Sequence, residues 1–143
     1  MDILESIKWK KRPRKIISDK SCYTMTFGWV RHLFKKTSGY SKATQDNWEA
    51  YQRLIKFGEE HVKHPFDHIT VNKNVLCKPH KDKFNQGDTT IFGFGDYTGG
   101  EICVDGIDHD IKNKSLTFNG KKELHWVKPF DGTRYTIVYY CAK

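Results

Sequence analysis

The pattern of apolar and polar positions changes character near residue 65. Upstream of it, Trp48, Tyr51, Leu54, Ile55, Gly58 and Val62 recur at helical spacing. They predict an amphipathic helix of about four turns whose apolar stripe covers a sheet. A small, polar stretch over residues 39–47 leads into it, with Asp46 or Asn47 placed to cap its first turn. Pro65 stops it. From Phe66 onward the texture becomes short β-rich pieces separated by Gly, Asn and Asp turns: residues 68–77, 89–94, 101–104, 115–118, 123–127 and 134–141. Several short strands with turn signals predict a sandwich or barrel. In the last piece, alternation sets Arg134, Thr136, Val138 and Tyr140 on one face. The chain shows no internal repeat, heptad array or low-complexity linker.

With 143 residues the chain fits a single domain with one hydrophobic core. Residues 1–65 are expected as a basic, helical N-terminal support and residues 66–143 as the β core. No apolar run approaches the ~20 residues that span a bilayer, and the start of the chain lacks the apolar stretch of a secretory signal. The four cysteines, Cys22, Cys77, Cys103 and Cys141, form no Cys-x-x-Cys pair, which disfavours a zinc knuckle and fits free thiols in a reducing compartment. The expectation is a soluble intracellular protein of cytoplasm or nucleus. The formal net charge of +8 is concentrated at one end: the first forty residues hold ten Lys/Arg against three Asp/Glu, residues 41–143 fifteen against fourteen. The run Lys8-Trp9-Lys10-Lys11-Arg12-Pro13-Arg14-Lys15 suits a polyanion such as DNA, or else is a solvated tail.

The candidate chemistry is concentrated in His80-Lys81-Asp82, followed 43 residues after Asp82 by His125 and nine residues later by Arg134-Tyr135-Thr136. If residues 80–82 end a strand, His80 and Asp82 point the same way and can grip one metal ion, with His125 supplied by a distant strand. Two imidazoles and a carboxylate on one face of an octahedral ion leave positions open, the arrangement of non-haem Fe(II) oxygenases. Arg134 adds a planar fork suited to a carboxylate. Competing clusters are weaker. Glu60-His61-x-x-His64-x-x-x-His68 has the wrong order for a zinc protease helix and is interrupted by Pro65, so it reads as a solvated helix end. His109, between Asp108 and Asp110, has no arginine strand at the right distance and reads as a hairpin or loop residue. Tyr97, Phe84 and Trp126 are candidates for stacking a flipped base or for ordinary packing. The loop Phe84-Asn85-Gln86-Gly87-Asp88 is the better candidate for substrate contact, and Lys78, Lys81 and Lys83 flank the same place.

The stretch 69–140 resembles the double-stranded β-helix (jelly-roll, cupin-like) core of the Fe(II)/2-oxoglutarate-dependent dioxygenases. The resemblance is carried by Ile69-Thr70-Val71-Asn72, Pro79-His80-Lys81-Asp82, Gly93-Phe94-Gly95-Asp96, Gly99-Gly100-Glu101 and Arg134-Tyr135-Thr136. Within that superfamily the texture is most similar to the TET/JBP-like and AlkB-like nucleic-acid oxygenases. The resemblance implies a mainly β fold with N-terminal helices and makes His80, Asp82 and His125 the iron ligands. It makes Arg134 the partner of the distal carboxylate of 2-oxoglutarate, Thr136 its helper, and Asn72 a further amide contact to the cosubstrate. It also implies Fe(II), 2-oxoglutarate and dioxygen as cofactors, with succinate and carbon dioxide released as a C–H bond is hydroxylated. The expected substrate is the 5-methyl group of 5-methylcytosine or thymine in DNA. Hydroxylation of a protein side chain or free amino acid, or a non-catalytic cupin-like metal-binding module, are the alternatives.

Overall fold

The structure is a computed structural model and describes residues 2–9, 22–32 and 37–142. The elements run in the order α1 (Asp2–Ser6), β1 (Tyr23–His32), β2 (Thr37–Tyr40), α2 (Lys42–Asp46), α3 (Trp48–His61), β3 (His68–Lys73), β4 (Asn85–Gly99), β5 (Ile102–Val104), β6 (Ile107–His109), β7 (Ser115–Phe118), β8 (His125–Val127) and β9 (Phe130–Ala142). A six-stranded sheet in the order β2-β1-β3-β9-β4-β7 faces a three-stranded sheet in the order β6-β5-β8. This is the mainly β, jelly-roll arrangement that the strand pattern implies.

The large sheet is buried on two faces of different chemistry. One face carries Met25, Phe27, Ile69, Val71, Ile137 and Tyr139, which form a core with Leu4 of α1 and Ala50 and Leu54 of α3. The helical stripe read from the sequence meets this face. Tyr139 is fully buried and its hydroxyl donates to the Leu54 carbonyl at 2.6 Å. Gly58 allows the close approach, because a Cβ there would lie 2.5 Å from the Tyr139 ring. The other face points between the sheets. It carries Thr24 and Thr26 of β1, Thr70 and Asn72 of β3, and Arg134, Thr136 and Val138 of β9, all lining one cavity.

Several local expectations need correction. Residues 39–47 are not merely a polar lead-in: Lys42–Asp46 is a short helix whose Ser41 accepts from the Thr44 amide at 3.1 Å. Asn47 precedes α3 but makes no side-chain cap; its Oδ1 accepts from the Lys8 amide at 2.7 Å, and its Nδ2 donates to the Ala43 carbonyl at 3.0 Å. The N-terminal support is not only helical, since β1 and β2 extend the large sheet beyond β3. β3 ends at Lys73 rather than residue 77 because Asn74 turns into the left-handed region, φ 55°. Its side chain accepts from the Arg134 amide at 2.9 Å and its own amide donates to the Arg134 carbonyl, so it is stapled to β9 where the strand stops. All four cysteines are free. No described helix is long and apolar enough to cross a membrane. Of the basic run, Lys8 and Trp9 are described, while Lys10 to Lys15 lie outside the described residues.

Candidate metal centre

His80 and Asp82 do not sit on a strand, contrary to the sequence expectation; residues 81 and 82 are irregular backbone. Their convergence has a different cause. His80 forms an isolated two-way bridge with His125 at the start of β8, each amide donating to the other's carbonyl at 3.0 Å. Two residues on, the Asp82 amide donates to the Gly120 carbonyl at 2.8 Å. These bonds bring ligand atoms from His80, Asp82 and His125 within 4.8 Å of one another. The imidazole centroids are 4.3 Å apart, His80 Nε2 is 3.4 Å from one Asp82 oxygen, and His125 Nε2 is 3.2 Å from the other.

The far side of each ring fixes its protonation. His80 Nδ1 lies 2.7 Å from the Lys78 carbonyl and His125 Nδ1 lies 2.9 Å from the Glu123 carbonyl. A carbonyl only accepts, so each Nδ1 carries the proton and a neutral ring presents a bare Nε2 lone pair to the centre. Two lone pairs and a carboxylate then face one another with no hydrogen between them. Such a set needs a cation, either a proton on an imidazole or a metal ion. The titration behaviour agrees. The bond to Asp82 raises the His80 pKa above its ordinary value, although burial opposes this. For Asp82, burial pushes the carboxyl upward, but the bonds and charges of His125 and His80 outweigh it and hold it well below the usual range. Three ligands of mixed nitrogen and oxygen type do not close a tetrahedral structural zinc site; they suit an ion that keeps open positions.

A pH dependence follows with a definite sign. A divalent ion must displace the proton held on His80, so affinity for Mn(II) or Co(II) should fall as pH drops through and below the raised His80 pKa, by about tenfold per unit for each proton displaced. Titration calorimetry between pH 6 and 8.5 checks this, and an affinity flat across that window would contradict a proton held between His80 and Asp82 in the absence of metal.

Gly120 bounds the carboxylate. A Cβ at this position would come within 2.9 Å of Asp82 Oδ2 and only 3.4 Å from Thr89 Oγ1. The atom that must yield is the end of the Asp82 side chain, so the cost falls on metal geometry before it falls on packing. We expect Gly120→Ala to weaken metal binding by about tenfold, the scale on which groups supporting a metal ligand act. Its melting temperature should stay within a few degrees of wild type in the metal-free state.

Arg134 lies in the same cavity, whose volume is about 680 Å³, and is only 3% exposed. Neither its Nε nor its Nη2 has a hydrogen-bond partner, and the buried Tyr97 hydroxyl beside it is also without one. The guanidinium sits 5.7 Å from the Tyr97 ring centroid and 5.8 Å from that of Phe130. Burial lowers the Arg134 pKa and raises that of Tyr97. Buried donors without acceptors are costly, and an unpaired fork is the complement of a carboxylate. The residues therefore fit a dicarboxylic cosubstrate that reaches from Arg134 toward the metal ligands. Thr136, buried on the same strand face, accepts from Asn72 Nδ2 at 3.0 Å, so these two expected cosubstrate residues are coupled. Tyr97 stands out in the sequence as a stacking candidate, but it is 3% exposed and is not available to a base. Its pairing with Arg134 has no signal in the sequence, because β4 runs to Gly99 and places Tyr97 opposite Gly132.

The other sequence candidates stay apart from this centre. His64 bonds Thr90 Oγ1 at 2.8 Å and the Pro65 carbonyl, His68 pairs with Asp67, and His61 packs on Phe57, so the histidine cluster disperses. His64 is thus a partner of the sheet and not a solvated residue. His109 is in the β5–β6 hairpin, paired with Ile102. Trp126 lines the cavity, whereas Phe84 is exposed and does not.

No family model and no curated protein sequence matches the chain. Solved structures do. NgTET1, in complex with 5mC DNA, superposes with TM-score 0.56 at 17% identity over 84% of this chain and 61% of that one. An oxidoreductase of the 2OG-Fe(II) oxygenase family from Burkholderia pseudomallei gives TM-score 0.60 at 13% identity, over 93% and 73%. OsALKBH1 gives 0.54 at 12% identity, over 93% and 83%. The chain thus spans about three fifths of the NgTET1 chain. The fold is the double-stranded β-helix of the 2-oxoglutarate oxygenases, as the sequence resemblance implies.

Proposed function

We propose that this protein is an Fe(II)/2-oxoglutarate-dependent dioxygenase that hydroxylates a C–H bond, with the 5-methyl group of 5-methylcytosine or thymine in DNA as substrate. One observation carries the enzyme reading: three inward-facing acceptors that need a cation share a cavity with a buried arginine fork that needs an anion. The DNA reading is supported by the likeness in fold to NgTET1, solved with 5mC DNA, and by the net charge of +8.

In this reading His80, Asp82 and His125 hold Fe(II). Arg134, with Tyr97 and Thr136, holds the distal carboxylate of 2-oxoglutarate, and Asn72 fixes the Thr136 hydroxyl. When bound, iron, cosubstrate and dioxygen supply the oxidising chemistry, releasing succinate and carbon dioxide and delivering one oxygen atom to the substrate. The remaining work belongs to the chain. The imidazole bonds hold the Asp82 carboxyl well below the usual range, and both Nδ1 atoms are tied to carbonyls, so the three ligand atoms are oriented toward one point. Ile91, Ile102, Phe118, Val127 and Val138 form the apolar part of the cavity wall and limit water around the metal.

The test is anaerobic loading with Fe(II) and 2-oxoglutarate, then air in the presence of methylated and thymine-containing DNA, with His80→Ala beside wild type. Succinate matched by a nucleoside one oxygen heavier is the expected result. Succinate without an altered nucleoside would keep the enzyme class and remove DNA as substrate; no succinate from wild type would remove both.

A further inference from the structure

The rim of the metal centre carries a second chemistry. Residues 78–84 hold Lys78, Lys81, Lys83 and Phe84, and the turn after β7 holds Lys121 and Lys122. Only the structure brings the two segments together, through the Asp82 amide on the Gly120 carbonyl. All five lysines are exposed, and among the described residues none forms an ion pair. Two carboxylates lie within these segments. Asp82 is committed to the imidazoles and Glu123 to the Asn119 amide at 2.9 Å.

The second segment is a built turn. Asn119 Oδ1 accepts from the Lys121 and Lys122 amides at 3.2 and 3.1 Å, and the Asn119 carbonyl accepts from the Lys122 and Glu123 amides. In the first segment, Phe84 is 62% exposed and Lys83 Nζ sits 4.9 Å from its ring centroid. By contrast, residues 95–111 carry five carboxylates and no Lys or Arg.

We infer that this two-loop rim is the docking surface for a nucleic-acid strand, with phosphates on Lys81, Lys83, Lys121 and Lys122 and an unpaired base stacked on Phe84. The inference deepens the proposed function and rests on it for the nature of the partner. Exposed lysines alone would describe a solvated surface. Lysines flanking an exposed ring, on a segment whose Lys78, His80 and Asp82 line the open cavity, describe a single-strand site, in which an electrostatic track follows the backbone and an aromatic face accepts any base. An unpaired base is required because His80, Asp82 and His125 lie within the cavity, where a base stacked in a duplex does not reach them. The Lys10 to Lys15 run is a separate basic segment, and the test separates the two.

Fluorescence anisotropy with the metal-loaded full chain and a labelled single-stranded oligonucleotide, repeated over a range of salt, reads binding without turnover. Lys121→Ala/Lys122→Ala should lower affinity and reduce the salt slope by about 0.7 for each phosphate that is no longer neutralised. Phe84→Ala should weaken binding at least about fivefold with the slope unchanged, as expected for loss of stacking. Arg53→Ala/Lys56→Ala, on the exposed side of α3, is the control and should change neither. If the turn variant and the control lose affinity equally, or if neither rim variant differs from wild type, the rim is overturned while nucleic-acid binding elsewhere stands. Wild type that forms succinate but binds no oligonucleotide would overturn the rim and the nucleic-acid partner and leave the oxygenase.

Discussion

Arg134→Met should raise the melting temperature of the protein without cosubstrate and at the same time weaken 2-oxoglutarate binding by roughly a hundredfold. The two effects have one origin. Arg134 is 3% exposed and its Nε and Nη2 find no hydrogen-bond partner within the protein, and each buried donor without an acceptor costs about 1–3 kcal/mol. Methionine keeps most of the apolar stem that packs near Tyr97 and Phe130 and removes those donors, as replacing buried charge by apolar volume often stabilises. At this chain length 1 kcal/mol corresponds to about 2–4 °C. With Mn(II) in place of iron to prevent turnover, the order should invert. Saturating 2-oxoglutarate at a hundred times its Kd stabilises wild type by about 2.7 kcal/mol, whereas the variant, lacking about 3 kcal/mol of charge-assisted hydrogen bonding, should barely respond. Thermal melts of both proteins with and without cosubstrate measure all four states. If wild type shows no rise with 2-oxoglutarate, Arg134 is not its anchor. A variant that melts below wild type without cosubstrate would mean that the orphaned fork is not a source of instability.

The same residues show what is legible in the sequence. Alternation in 134–141 sets Arg134, Thr136, Val138 and Tyr140 on one face, and the structure has that face lining the cavity. The helical stripe is faithful from Tyr51 onward, where one side of α3 meets an apolar sheet face, whereas Trp48 at its start is 44% exposed. β1 carries a signal of the same kind without being expected as a strand. Thr24 and Thr26, facing the cavity, alternate with Met25 and Phe27, facing the helices, just as in β9, but the run is short and lies in the basic N-terminal third, where a helical support is expected. The metal motif is legible in its residue types and spacing, while the strand geometry expected for it is not the real one. His80 and Asp82 converge because backbone bonds to His125 and Gly120 hold them, and such long-range bonds have no local signature. Tyr97 is hidden likewise, since its significance depends on an arginine thirty-seven positions away in sequence and two residues off in register on the neighbouring strand.

Asp82→Ala should abolish iron-dependent turnover and reduce metal affinity by more than the roughly 10–100-fold that loss of a supporting hydrogen bond produces. The carboxylate is the sole anion of the three-residue cluster, and it takes both imidazole Nε2 atoms as neighbours at 3.4 and 3.2 Å. Without it, two neutral imidazoles remain. Their orientation should survive, because both rings are tied through Nδ1 to backbone carbonyls and their backbones are bridged to each other. The variant is therefore expected to fold, and its stability profile identifies the cause of any loss. Asp82 has a depressed folded pKa, so it contributes stability above the unfolded carboxylate range that disappears as pH falls. His80 has a raised one, so its contribution is complete below about 6.5 and fades as pH rises through the folded value. Removing Asp82 should erase both dependences in the metal-free protein and flatten its melting temperature against pH. Full turnover in Asp82→Ala would remove the carboxylate from the centre altogether. Abolished turnover with an unchanged metal affinity would transfer its role from holding the ion to the chemistry of the bound substrate.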